Sequence, residues 1–408
     1  MQFNILDPQL YADDPFPVYR WLRHNAPVHW DERNQLWIVS RYEDVVTVSK
    51  NPRVFSSAQG VMPDSDIPIS IVTLDDPEHT RLRGLVSRGF TPRMIARLDA
   101  RIHEIVRECI DAALEIDECD FVRDFAVPLP LLVIAEMIGI RPEDRDLFSE
   151  WSDTMILAAA QNDNIEIVER ASRAFGEYAE YLQAVFEERR RKPREDLVSV
   201  LVAAEGDGRL ATSRENLSSD ELLQFMTLLL VAGNETTRNS ISGGMLAFFE
   251  NPDQWEKLIE HPELVGAATE EILRYTSPIV GFRRTTTCDT ELRGQKIRQG
   301  QKVLVLYQSA NRDEQVYDAP DEFRIDRENN YHVAFGIGTH FCLGANLARA
   351  EIRAMFSALL RRVPGIRLAS GARPVRIASP LVRGIGSLPI EIDRSFRPAQ
   401  PEDVPSVA

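Results

Sequence analysis

Cysteine is scarce in this chain of 408 residues: only Cys109, Cys119, Cys288 and Cys342 occur, and no two form a C-x-x-C pair. That excludes a disulfide framework, a zinc ribbon and a thioredoxin-like redox pair, and fits a reducing cytoplasmic location. Long apolar runs are missing as well. The richest, Phe125 to Ile140, is interrupted by Pro128, Pro130 and Glu136, whereas a bilayer-spanning helix needs about 20 successive apolar residues. The opening Met1 to Pro8 has no basic region followed by an apolar stretch, so neither a signal peptide nor a membrane anchor is expected. Positive charge is in deficit, 47 Lys and Arg against 63 Asp and Glu for a net charge of -16. Binding to a nucleic-acid backbone needs clustered cations, so no nucleic-acid partner is expected. Repeats and low-complexity blocks are absent.

What remains is ordinary for a folded protein, with 44% hydrophobic and 27% charged residues. Helical periodicity dominates residues 77–275, and short extended runs lie toward the two ends, at Leu36–Ser40, Lys302–Leu306 and Ser387–Ile392. This pattern predicts a mainly α fold with small β-sheets at its side, an α+β arrangement forming one domain over residues 1–394. Residues 395–408 are proline-rich and poor in apolar side chains, and are expected to be a disordered tail.

One helix stands out. Ser218 with Glu221 three residues on reads as a capping box, and the helical pattern continues without proline to Glu250, where Asn251-Pro252 ends it. A helix of that length spans roughly 45 Å. Its first half is apolar nearly all round, as a buried helix should be. Midway, Ala232-Gly233-Asn234-Glu235-Thr236-Thr237 interrupts it with polar groups and a glycine, the glycine costing about 1 kcal/mol relative to alanine. A buried helix that accepts such residues has a use for them.

The densest chemical signal is Phe335-Gly336-Ile337-Gly338-Thr339-His340-Phe341-Cys342-Leu343-Gly344. Three glycines allow close backbone approach or positive φ. Leu343 to Leu360 has helical period, so Cys342 is expected at or just before a helix N-terminus, where free N–H groups favour a thiolate. A lone cysteine is usually an inert buried thiol; the glycines and phenylalanine at these offsets argue otherwise. The segment resembles the haem-binding signature F-x-x-G-x-x-x-C-x-G of the cytochrome P-450 family, matched by Phe335, Gly338, Cys342 and Gly344. The resemblance implies that Cys342 ligates the iron of haem b, that Phe335 packs near the sulfur, and that His340 contacts a haem propionate.

Other segments extend the resemblance from about Asp14 to Pro389. Ala232-Gly233-x-Glu235-Thr236 is similar to the family's oxygen-activation motif. It implies a groove at Ala232 and Gly233 for dioxygen, a hydrogen-bond donor at Thr236, and a proton relay at Glu235, where Asp is commoner. The competing reading ties Thr236 to a backbone carbonyl and Glu235 to Arg238 or Asn239. Glu271-x-x-Arg274 is one of seven such spacings in the chain, singled out by its place before Tyr275-Thr276-Ser277-Pro278. By the resemblance it joins Arg327 in a structural cluster. His79 and Arg83 would share a helix face toward a propionate, and Arg284, with Arg283 second, would serve the same end.

The family's reaction is insertion of one oxygen atom from O2 into a C–H bond. The expected substrate is a hydrophobic small molecule, a sterol, a terpenoid or a similar lipophile, held by Val72, Leu228, Ile279, Val280, Phe282 and Ile385. No flavin or nicotinamide fingerprint appears, so electrons are expected from an acidic ferredoxin. It would dock near Arg81, Arg83, Arg88, Arg93, Arg97, Arg101, Arg107, Arg349 and Arg353. Two alternatives stand beside it: a peroxide-using peroxygenase of the same fold, which typically lacks the acid–threonine pair, and a non-catalytic haem-binding sensor or carrier. A metal site from His332, His340 and Cys342 has unsuitable spacing.

Overall fold

The computed structural model describes residues 1–160, 164–204 and 217–393; the expected tail at 395–408 lies outside these. Helices dominate from Glu78–Val86 to Val265–Thr276, and the sheets are small and lateral, giving the mainly α, α+β arrangement. The capping box forms: Ser218 Oγ accepts from the Glu221 N–H at 3.1 Å, and a Glu221 carboxylate oxygen accepts from the Ser218 N–H at 2.8 Å. From it the central helix runs Ser219–Glu250. It packs against the helices Pro128–Ile138, Val265–Thr276 and Ala345–Arg362. Gly244 permits one of these crossings, since a Cβ there would lie 2.8 Å from Ile272 Cγ2. Past it, Phe248 meets the rings of Trp255, Phe323 and Phe356 at 5.0, 5.1 and 5.5 Å, locking the helix end into the main core.

The largest sheet has the order Val28–Asp31, Leu36–Val39, Lys302–Leu306, Gly281–Thr286, Phe55–Ser56. Leu36–Val39 pairs parallel with Lys302–Leu306, and every other pairing is antiparallel. The two extended runs expected at opposite ends of the chain thus become neighbours. The third expected run divides: Ile385–Ser387 pairs with Val375–Arg376, while Pro389–Glu391 joins Cys119–Asp120 and Arg367–Leu368. Among the described residues, no helix is long and apolar enough to cross a membrane.

Candidate functional site

The loop before Ala345–Arg362 is shaped by its glycines. Gly336 and Gly338 have φ of 67° and 79°, values costly for a residue with a Cβ. At Gly338 a Cβ would also sit 2.6 Å from the Ser49 carbonyl oxygen. The Cys342 N–H donates to the Phe335 carbonyl at 2.9 Å and the Phe341 N–H to Gly338 at 3.1 Å. This folds the loop back so that Phe335, Gly336, Cys342, Leu343 and Gly344 all line one internal cavity, which holds about 1480 Å³ of empty space, its open mouth included. Cys342 is exposed only in the sense that its sulfur faces this interior space. The helix begins at Ala345 rather than at the cysteine. Burial raises the thiol's pKa, opposed by the Gly344 backbone hydrogen bond and by Arg83 and Arg349.

Basic groups gather at one side of the cavity. His79, on the helix Glu78–Val86, is 1% exposed and neither ring nitrogen has a protein partner. Its ring lies 4.3 Å from that of His340, whose Nε2 is 3.2 Å from Ser57 Oγ. The His340 pKa falls to about 3, first through burial and then through Arg284, His79 and Arg83. Arg83 donates to the Phe341 carbonyl at 2.6 Å. Strand alternation sends Arg283 and Arg284 to opposite faces. Arg283 is taken by Asp66 and by the Gln59 carbonyl. Arg284 donates to the Arg283 carbonyl at 2.8 Å and acts on His340 by its charge, though it does not itself line the cavity.

Opposite the cysteine loop, the central helix contributes Leu228, Ala232, Gly233 and Thr236 to the cavity wall. At Gly233 a Cβ would lie 2.9 Å from Ile134 Cδ1, so glycine admits the neighbouring helix as well as the cavity. Thr236 donates its hydroxyl proton to the Ala232 carbonyl at 2.8 Å. Glu235 approaches Arg238 at 3.7 Å, and burial raises its pKa against the lowering effect of Arg238. Both local pairings weighed against the relay role are therefore present. The buried Asn234 between them anchors the helix through Ser152 Oγ at 3.0 Å.

Of the expected pocket residues, Val72, Leu228, Ile279 and Phe282 line this cavity. Val280 and Ile385 do not. Val280 is fully buried in the apolar cluster of Ile5, Tyr11 and Val18, behind the sheet, because it alternates with its neighbour Ile279. Ile385 lines a separate cavity. Several wall residues escaped the sequence reading: Phe90, Ile134, Phe225, Leu229 and Tyr307. Phe225 stands three residues before Leu228 and Leu229 three before Ala232, and helical spacing alone places them on that side. Glu351 also lines the cavity; it is 2% exposed, its Oε2 has no protein partner, and burial raises its pKa to about 8. A single acid between Ala350 and Ile352 was the available signal.

Beneath the loop, Glu271, Arg274 and Arg327 come together. Arg274 donates to Glu271 through Nε at 2.7 Å and Nη2 at 2.8 Å, and Arg327 Nε donates at 3.2 Å. Glu271 also accepts from the Arg324 N–H at 2.8 Å and Asn330 Nδ2 at 3.0 Å. Arg274 in turn donates to the carbonyls of Asn311, Pro320 and Glu322. His332 is occupied by Glu270 at 3.1 Å, and no group of three or more His, Cys, Asp or Glu side chains among the described residues could hold a metal ion.

A family model described as Cytochrome P450 matches residues 155–363. The chain is 41% identical to a steroid C26-monooxygenase of Mycobacterium tuberculosis over 401 residues, covering 98% of both. It is 42% identical to the putative cytochrome P450 YjiB of Bacillus subtilis, covering 88% of this chain and 90% of the relative. Among solved structures it is similar to the versatile cytochrome P450 enzyme CYP109B1 of Bacillus subtilis, with a TM-score of 0.84, 38% identity and coverage of 93% and 100%. CYP109E1 of Bacillus megaterium in complex with testosterone gives a TM-score of 0.84 at 34% identity, with coverage of 92% and 99%.

Proposed function

The chain belongs to the cytochrome P450 family, a bacterial oxidoreductase that performs monooxygenase chemistry with O2 on a lipophilic substrate, and from that premise we propose that it hydroxylates a sterol or a terpenoid of similar bulk. The observation that carries this reading is the cavity itself, which sets Cys342 across from Glu235-Thr236's helix and walls the space between with Val72, Phe90, Phe225, Leu228 and Ile279. Apolar walls with few convergent polar groups suit a hydrophobic ligand. The relatives named as steroid C26-monooxygenases and the testosterone complex support the steroid end of the range.

The residues fit a haem. Cys342 would hold the iron, and Gly336 and Gly344, which line the cavity, would leave room for the ring, whereas Gly338 makes room for the Ser49 carbonyl. His79, with both nitrogens unpartnered, together with Arg83 and His340 offers donors suited to the propionates, and Arg284 adds its charge from outside the cavity lining. When bound, haem supplies the redox centre at which dioxygen is activated for insertion into a C–H bond. The protein's share is to exclude water, orient the substrate and deliver protons. Glu235, its pKa raised by burial against the lowering effect of Arg238, keeps a proton to higher pH than an exposed carboxyl does, and turning toward the cavity would bring that proton within reach of Thr236. Thr236 has its proton on the Ala232 carbonyl, which leaves its oxygen as an acceptor; to donate into the cavity it must leave that carbonyl. The acid–threonine pair favours the O2-driven reaction over a peroxygenase.

Electrons would come from an acidic ferredoxin. Ion pairs within the chain occupy Arg81, Arg97, Arg101 and Arg349, which leaves Arg88, Arg93, Arg107 and Arg353 without an acidic partner among the described residues and free to meet one. The proposal is tested by supplying a ferredoxin, its reductase and 18O2 with a panel of sterols, terpenoids and fatty acids. The expected result is a singly labelled hydroxylated sterol or terpenoid. Conversion of fatty acids alone overturns the substrate class.

A further inference from the structure

Arg349 stands seven residues after Cys342 on the helix Ala345–Arg362, with its side chain 24% exposed. Its guanidinium lies over Phe335, 4.7 Å from the ring centre. Its Nε and Nη2 donate to the two oxygens of Glu270 at 2.7 and 2.9 Å. A bidentate pair on a planar fork fixes orientation as well as distance. Glu270, on the helix Val265–Thr276, is held in turn by His332. The Ala334 N–H donates to His332 Nδ1 at 3.3 Å, so the proton of the neutral ring is on Nε2. That nitrogen donates to a Glu270 oxygen at 3.1 Å. The His332 side chain is only 2% exposed, and its ring lies 5.9 Å from that of Phe335. Phe335 therefore borders on a guanidinium and an imidazole that are tied to one carboxylate.

This arrangement lies directly against the cysteine loop. Phe335 and Cys342 line the same cavity, and the Cys342 N–H donates to the Phe335 carbonyl at 2.9 Å. Arg349 is thus one ring away from the loop that carries the sulfur. Its charge reaches that far: burial raises the Cys342 pKa, and Arg83 and Arg349 are the two side chains whose charge opposes the rise. Arg83 is engaged by the Phe341 carbonyl on the opposite flank of the loop, whereas Arg349 is fixed by a carboxylate and a ring. A cation so oriented and partly withdrawn from water acts over distance with less screening than a surface charge. Taking up one electron at an iron held by this sulfur adds one negative charge beside it. A fixed cation stabilises that more negative state. Docking of an electron donor would not need an arginine already committed on both its faces; control of the electron's energy would.

We propose that Arg349 raises the reduction potential of the haem by its charge, and that Glu270 and His332 are positioning residues that hold it over Phe335. The proposal rests on the reading of Cys342 as the iron ligand. Dye-mediated redox titration of the haem-loaded protein without substrate, followed by its optical spectrum, tests it. Arg349→Gln should move the equilibrium at least threefold toward the oxidised form, about 28 mV for one electron. Arg349→Lys, which keeps the charge but not the fork, should fall between. Glu270→Gln leaves an oxygen for the guanidinium but removes the compensating anion, so its potential should move the other way, upward. Opposite shifts from the two members of one ion pair are a signature that mere loosening of the fold does not produce. Thermal melts and the reduced, carbon-monoxide-bound spectrum of each variant check fold and ligand. Unchanged potentials, or shifts of the same sign, in variants that keep the thiolate band overturn the proposal and leave the ligand assignment standing. Absence of that band from wild type overturns both. If Arg349→Gln fails to hold haem, the signs of Arg349→Lys and Glu270→Gln decide the matter.

Discussion

Removing the charge of Glu271 is expected to cost more than any other single polar change beneath the cysteine loop. Five N–H groups point at its two oxygens, from Arg274 Nε and Nη2, Arg327 Nε, the Arg324 backbone and Asn330, and Glu271 and Arg274 are both fully buried. Glu271→Gln keeps the shape but turns an NH2 toward a guanidinium and leaves two arginines uncompensated. Breaking a buried pair in this way costs about 3–5 kcal/mol, against a total stability of about 5–15 kcal/mol for a typical protein. Urea unfolding of Glu271→Gln, Arg274→Gln and the double variant completes a cycle in which contacting residues couple by about 0.5–3 kcal/mol. Because the cost lies in the orphaned partner, Glu271→Leu/Arg274→Met should be less destabilised than either single change. A Glu271→Gln protein within about 1 kcal/mol of the parent, or strictly additive single changes, would refute this reasoning.

Three further outcomes follow from the geometry. Glu351, with its pKa raised to about 8 by burial, stays protonated when folded while the unfolded chain ionises near the ordinary 4.5. Stability should therefore fall as pH rises from 4.5 toward 8, by about 1.4 kcal/mol per pH unit from this residue, and level off above. Glu351→Gln should remove that slope, and urea midpoints of both proteins across the window measure it; an unchanged slope counts against the assignment. Glu235→Gln should slow turnover by about 10²-fold or more in protein that still unfolds cooperatively, and Thr236→Ala should lower product formed per O2 consumed, read with an oxygen electrode and product analysis. Ferredoxin-driven reduction should slow as salt rises, and Arg88→Glu should slow it at low salt; a rate indifferent to ionic strength removes the docking face from consideration.

The elements legible in the sequence were those whose signals are local. Ser218 and Glu221 announced the start of the central helix, and Asn251-Pro252 its end, because capping and proline geometry act within a few residues. The cysteine loop was legible because Gly338 is required both by its φ and by the Ser49 carbonyl pressed against it. What failed was non-local or depended on a single register step. Val280 and Ile279 are neighbours in sequence yet face opposite sides of the chain. The run expected at 387–392 hid a change of sheet at Leu388.

The most direct test of the account is the optical spectrum of the reduced, carbon-monoxide-bound protein, recorded for wild type and for Cys342→Ala. A thiolate ligand moves the main band far to the red of its place in a histidine-ligated haem, so wild type should show the red-shifted band and Cys342→Ala should lack it. Persistence of that band after Cys342→Ala would contradict the assignment of the iron to this residue.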